Sequence, residues 1–187
     1  QGMGCRSCRH GDGEPLQTTV ALWVPGVGRR GSCRKKADTR ERNIMGKRRR
    51  ARELAIQVLF HMEYNPGDPG ECFDRVCESF GPPKEVRVYS REVVLGVWEN
   101  RADLDRLMRR SSKNWRVERM SHVDRNILRL AIFEVLYRKD VPPKVSIDEA
   151  VELGKRYGTE ESGAFINGIL DHIYNELKTE EVGRQGE

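Results

Sequence analysis

Nowhere do eighteen apolar residues run together in this 187-residue chain, so no segment reads as a membrane-spanning helix. The longest uncharged stretch near the start, residues 15–28, is interrupted by Pro25 and Gly26, and no small-residue cleavage site follows it; it does not read as a secretory leader. Aromatic residues make up only 7%, and no segment alternates with period two for long enough to form a strand, which excludes sandwiches and barrels. The five cysteines, at 5, 8, 33, 72 and 77, are odd in number, and three lie in a segment without a core; a secreted disulfide framework is excluded. Cys5, Cys8, His10 and Cys33 match no usual zinc spacing, so no metal is expected. Cys72 and Cys77 fall inside a helical pattern and read as reduced thiols in or near a core. There is no phosphate loop, and Gly26-Val-Gly-Arg-Arg-Gly31 follows no strand. None of the four histidines, His10, His61, His122 and His172, has a partner recurring in a nucleophile motif. No catalytic residue and no cofactor is therefore expected.

Charge is present in quantity, 34% of all residues, and it is unevenly placed. Residues 1–44 hold nine Lys/Arg against four Asp/Glu, while residues 45–187 hold twenty-five of each, so the whole net charge of +5 lies in the first segment. A nucleic-acid reading must rest on local clusters within a neutral body. Rich in Gly, Arg, Ser and Thr, with one short apolar patch at 20–24, residues 1–44 cannot bury enough surface to offset their ordering entropy and read as a disordered basic extension. Either Met45 is the native start or the extension is genuine; the residues leave both open.

From Lys47 the apolar period becomes 3.6. Ala51, Leu54, Ala55, Val58, Leu59 and Met62 form one stripe of a helix, which Asn65-Pro-Gly-Asp-Pro-Gly70 stops. A short helix over 72–80 follows. Gly81-Pro-Pro then opens a third, with Val86, Val93, Val97, Leu104 and Met108 on one face and a break near Asn100. Residues 111–114 read as a loop and 115–120 as a connector. Ser121-x-x-Asp124 resembles a capping box and starts a helix to about Arg138 that is apolar nearly all round, the expected central helix. Ser146-x-x-Glu149 predicts the start of the next, Gly158 its stop, and Thr159 the cap of a last helix with Ile166, Ile169, Leu170, Ile173 and Leu177 inward. The fold class is all-α, with a domain over 45–178 and a flexible tail over 179–187.

Lys47, Arg48, Arg49, Arg50 and Arg52 place five cations in six positions at an expected helix N-terminus, where the helix dipole disfavours them by about 0.3–1 kcal/mol each. Phosphate would offset that cost, and arginine forks onto phosphate or stacks on bases, so single-stranded RNA suits the cluster; a merely solvated charged start is the alternative. Phe165 lies at the rim of the last helix's stripe and serves either as core or as a stacking platform. Glu160 and Glu161 have a sufficient reason in the helix dipole. Asn167 and Gly168 read as structural, with tight helix packing at the glycine.

Three stretches carry a family resemblance: residues 146–171, SIDEAVELGKRYGTEESGAFINGILD; residues 120–136, MSHVDRNILRLAIFEVL; and Gly46-Lys-Arg-Arg-Arg-Ala-Arg-Glu53. Together they resemble the NusB family of bacterial transcription antitermination factors, over residues 45 to about 177. The resemblance implies two packed helical bundles of about seven helices and a non-enzymatic, cytoplasmic protein. It implies binding of boxA-type single-stranded RNA of nascent rRNA together with the ribosomal protein NusE, within the RNA polymerase antitermination complex. It places Lys47, Arg48, Arg49, Arg50, Arg52, Glu161, Ser162 and Phe165 on the RNA surface. Asp124, with Glu118 just before it, falls on the NusE side, and a helix cap is the plainer reading of Asp124. Monomer and homodimer both stay open. Two other classes compete. One is the NusB-like accessory domain of an rRNA cytosine methyltransferase, which needs a downstream α/β domain where this chain ends ten residues after Leu177. The other is a purely protein-binding helical adaptor.

Overall fold

A computed structural model describes the backbone of residues 39–112 and 117–185, and side chains at 46–112, 117 and 119–179. Among the described residues there are seven α-helices and no strand: α1 Thr39–Tyr64, α2 Pro69–Phe80, α3 Lys84–Glu99, α4 Arg101–Ser111, α5 His122–Tyr137, α6 Pro143–Tyr157 and α7 Ser162–Gln185, with one 3-10 turn, Val117–Arg119, ahead of α5. Residues 1–38 of the expected extension, and 113–116 of the expected loop, lie outside the described residues. Besides α2, which starts at Pro69 rather than 72, and α7, which starts at Ser162 so that Thr159 does not cap it, three boundaries differ from expectation. α1 starts at Thr39, eight residues before Lys47, so residues 39–44 are helical. α7 continues to Gln185, so the tail expected over 179–187 is helical for most of its length. The third concerns Ser146, taken up below.

Local chemistry explains most ends. Asp68 accepts the Glu71 N–H at 2.9 Å and Pro69 takes the first position of α2. Gly81 closes that helix at φ 55°, a left-handed conformation glycine adopts without strain, and its N–H reaches the Cys77 carbonyl. Asn100 divides α3 from α4, as the sequence predicts.

α5 holds the molecule together. It touches α1 and α3, which pack with α2, and also α4, α6 and α7. Ile127, Leu128, Ala131 and Ile132 are wholly buried, and each of the large ones contributes about 1.5–3 kcal/mol by leaving water. α3 approaches so closely at Gly96 that a Cβ there would collide with the Phe133 ring.

Two polar networks cross this core. Glu134, fully buried, accepts from Arg52 Nε at 2.8 Å and Nη2 at 2.9 Å, from Tyr89 Oη at 2.6 Å and from Ser146 Oγ at 2.8 Å. Ser146 is therefore interior to α6, not its cap; Pro142 and Pro143 start the helix and the serine hydroxyl is drawn inward to the carboxylate. Arg129 forks onto Asp105 at 2.7 and 2.8 Å and reaches Glu63 at 2.6 Å. Burial alone would raise the Glu63 carboxyl, but the hydrogen bond and charge of Arg129, with Arg125 beside it, hold it below its ordinary 4.5. Its folded value is depressed, so its contribution to stability is complete above 4.5 and is lost as pH falls through the folded value. Urea midpoints are expected to fall in acid from that point downward and to fall less steeply in Glu63→Gln; equal acid slopes in the two proteins would contradict the assignment.

Candidate nucleic-acid interface

The five cations of α1 sit beyond its first turn, because the helix begins at Thr39. The dipole cost expected for them therefore does not apply, since it fades within one turn. What distinguishes them is pairing. Arg52 is 2% exposed and locked to Glu134, so it is a structural cation, correcting its expected place on an RNA surface. Arg48 donates to Asp140 Oδ2 at 2.8 Å and lies over the Tyr89 ring, 5.6 Å from its centroid. Arg49 grips Glu149 through two bonds, 2.9 and 2.6 Å, and the hydrogen bond to that carboxylate raises its already high pKa. Lys47 and Arg50 are exposed and, among the described residues, make no ion pair. A helix period explains the split: residues 48, 49 and 52 turn toward α5 and α6, while 47 and 50 turn away.

The α6–α7 corner follows α6, which pairs with α1 through Glu149 and Arg156. Ser162, expected to contact RNA, is buried: its hydroxyl accepts the Thr159 N–H at 2.8 Å and lies 3.1 Å from the Thr159 hydroxyl, so it closes the turn. Glu161 is exposed. Phe165 is half-buried against the core beside fully buried Ile166, the rim position its spacing predicts. Asn167 and Gly168 do not serve packing. Both are exposed, the asparagine donates to Asp171 at 2.9 Å, and nothing lies within 4 Å of a Cβ built on the glycine.

Between α1 and α6 runs an open cleft of about 180 Å³ lined by Arg49, Lys155 and Arg156, by Glu53, Glu149 and Glu152, and by Leu153. Arg156 pairs with Glu53 across it, tying α6 to α1.

On the opposite end of α1, Asp124 caps α5. Its N–H donates to Ser121 Oγ at 3.0 Å and its Oδ2 accepts the Ser121 hydroxyl at 2.8 Å, while Oδ1 is buried with no partner in the described structure. With 8% of its surface exposed, Asp124 offers a partner little of itself. Glu118 lies in the 3-10 turn, and its side chain is outside the described residues. Sequence reasoning missed an aromatic feature at this end of α1 and α5: Phe60, Tyr64 and His122 form a ladder with ring centroids 5.2 and 5.3 Å apart, and Tyr64 is 61% exposed. The signal was legible as an aromatic pair four residues apart, off the apolar stripe of α1.

This architecture, with its central α5 and its α1 and corner surfaces, matches a known pattern: the NusB family model covers residues 49–175. The chain belongs to the NusB family. The transcription antitermination protein NusB of Desulfatibacillum aliphaticivorans is 51% identical over 137 residues, 73% of this chain and 96% of that protein. The structure of T. maritima NusB superposes with a TM-score of 0.64 at 42% identity, covering 69% of this chain and 91% of that one. A structure of the antitermination factors NusB and NusE in complex with double-stranded RNA gives 0.65 at 29% identity, covering 71% and 98%. These relatives bear the name of transcription antitermination proteins, not of enzymes. No described helix is long and apolar enough to cross a membrane.

Proposed function

We propose that this protein is a cytoplasmic transcription antitermination factor that binds boxA-type single-stranded RNA together with NusE, and acts through the RNA polymerase antitermination complex. The observation that carries this is the division among the α1 cations: Lys47 and Arg50 are exposed and make no ion pair among the described residues, while their neighbours are pinned. Unpaired cations on a rigid helix are ready phosphate contacts. Phe165 supplies a stacking edge and Glu161 an acceptor at the same corner. The NusE face is the α1–α5 end, which carries the Phe60–Tyr64–His122 ladder, with capped Asp124 on α5 and Glu118 in the turn before it. A solved relative holds NusE and RNA, and this chain covers 98% of that NusB. The methyltransferase-domain reading is disfavoured because relatives matched over 96% of their length are antitermination proteins in their own right.

Titration of labelled boxA-type RNA with and without NusE tests the reading. Tighter RNA binding is expected with NusE present. RNA binding absent in both arms removes the RNA reading, and NusE binding without RNA leaves a protein adaptor.

A further inference from the structure

The cleft between α1 and α6 is balanced in charge. Three cations, Arg49, Lys155 and Arg156, face three carboxylates, Glu53, Glu149 and Glu152, above the buried side chain of Leu153. A phosphate entering it would meet as much negative charge as positive. A nucleobase is neutral and flat, and it presents donors and acceptors along its edges. At about 180 Å³ and open to solvent, the cleft has room to admit a flat group such as a single base.

Position supports the same occupant. Arg49 precedes exposed Arg50 on α1. At the other end Lys155 lies against the first turn of α7, where a Cβ on Gly163 would sit 2.8 Å from its Cγ, two residues before Phe165. The cleft thus lies between the α1 residue beside Arg50 and the α6 residue that touches the start of α7. Arg49 is held by Glu149, whose side chain is 12% exposed, whereas its own guanidinium is half exposed and aimed by that grip. Glu152 and Lys155 pair at 2.8 Å with both groups more than half exposed, a contact exchanged at little cost. Guanine is the base with two adjacent acceptors, O6 and N7, for an arginine fork, and two adjacent donors, N1–H and N2–H, for a carboxylate. We infer that the α1–α6 cleft is a guanine-reading subsite, with Arg49 on the O6/N7 edge and Glu152 on the N1/N2 edge. The inference rests on the RNA reading above and assigns Arg49 to a base, leaving Lys47 and Arg50 to phosphates.

The test compares affinities for a uridine dodecamer, the same dodecamer with one central guanine, and versions carrying 7-deazaguanine or inosine there, with NusE present and absent. The intact protein is expected to prefer the guanine dodecamer by about tenfold, with 7-deazaguanine and inosine each losing most of that preference. Arg49→Lys, which keeps the charge but not the fork, should bring the guanine-to-uridine ratio close to one, and Glu152→Gln should lower it. Arg50→Ala should weaken all four RNAs by one common factor. Equal wild-type affinities for the guanine and uridine RNAs, or a preference that survives in Arg49→Lys, overturn the subsite while the RNA reading stands. Failure to bind any of the four, with or without NusE, overturns both.

Discussion

Glu134→Ala is expected to cost about 3–5 kcal/mol of folding stability, because it leaves the Arg52 guanidinium buried without its counter-charge. The Tyr89 and Ser146 hydroxyls lose their acceptor in the same step. Domains are stable by only about 5–15 kcal/mol, so this single change consumes roughly a fifth or more of the total. Replacing both charges, Arg52→Met with Glu134→Met, should recover much of the loss, since a buried ion pair contributes little beyond what apolar side chains of similar size supply. Chemical denaturation of the two proteins checks this. A single-variant loss under about 1 kcal/mol would show that the network does not hold α1, α3 and α6 to α5.

The second large effect separates two neighbours on α7. Ile166 is fully buried, and its Cδ1 lies against Gly154 of α6 so closely that a Cβ there would come within 2.6 Å. Ile166→Ala should cost about 2–5 kcal/mol of stability through the cavity it opens, with the RNA affinity of the folded protein nearly unchanged. Phe165→Ala should cost about 1–3 kcal/mol in RNA affinity and less in stability than Ile166→Ala, because Phe165 is only partly buried at the edge of the core. If Phe165→Ala unfolds the protein as severely as Ile166→Ala while affinity persists, Phe165 belongs to the core alone.

What could be read without the structure depended on how local the deciding interaction is. The all-round apolar pattern of α5, the Ser121 cap and the break at Asn100 are set by neighbours within a few residues, and all three are found. Ser146-x-x-Glu149 has the spacing of a capping box, yet the acceptor that claims the serine is Glu134, twelve residues away. Arg52 looks like its neighbours in sequence; only a partner 82 residues later turns it inward. Ser162 is likewise consumed by a turn that spacing does not announce. The early start of α1 was missed because residues 39–46 carry no apolar stripe. The candidate surface was thus visible as a composition, five cations and an aromatic corner, but not as a set of roles.

The central claim is that Lys47 and Arg50, rather than the cluster as a whole, neutralise RNA phosphates. Its most direct measurement is the dependence of RNA affinity on salt for the wild-type protein, for Lys47→Ala with Arg50→Ala, and for the Arg52→Met, Glu134→Met pair. Each phosphate contact on a single strand contributes roughly 0.7 to the log–log slope, so the first double variant should lose about 1.4 from it and the buried-pair variant almost none. An unchanged slope after removal of Lys47 and Arg50 would contradict the account.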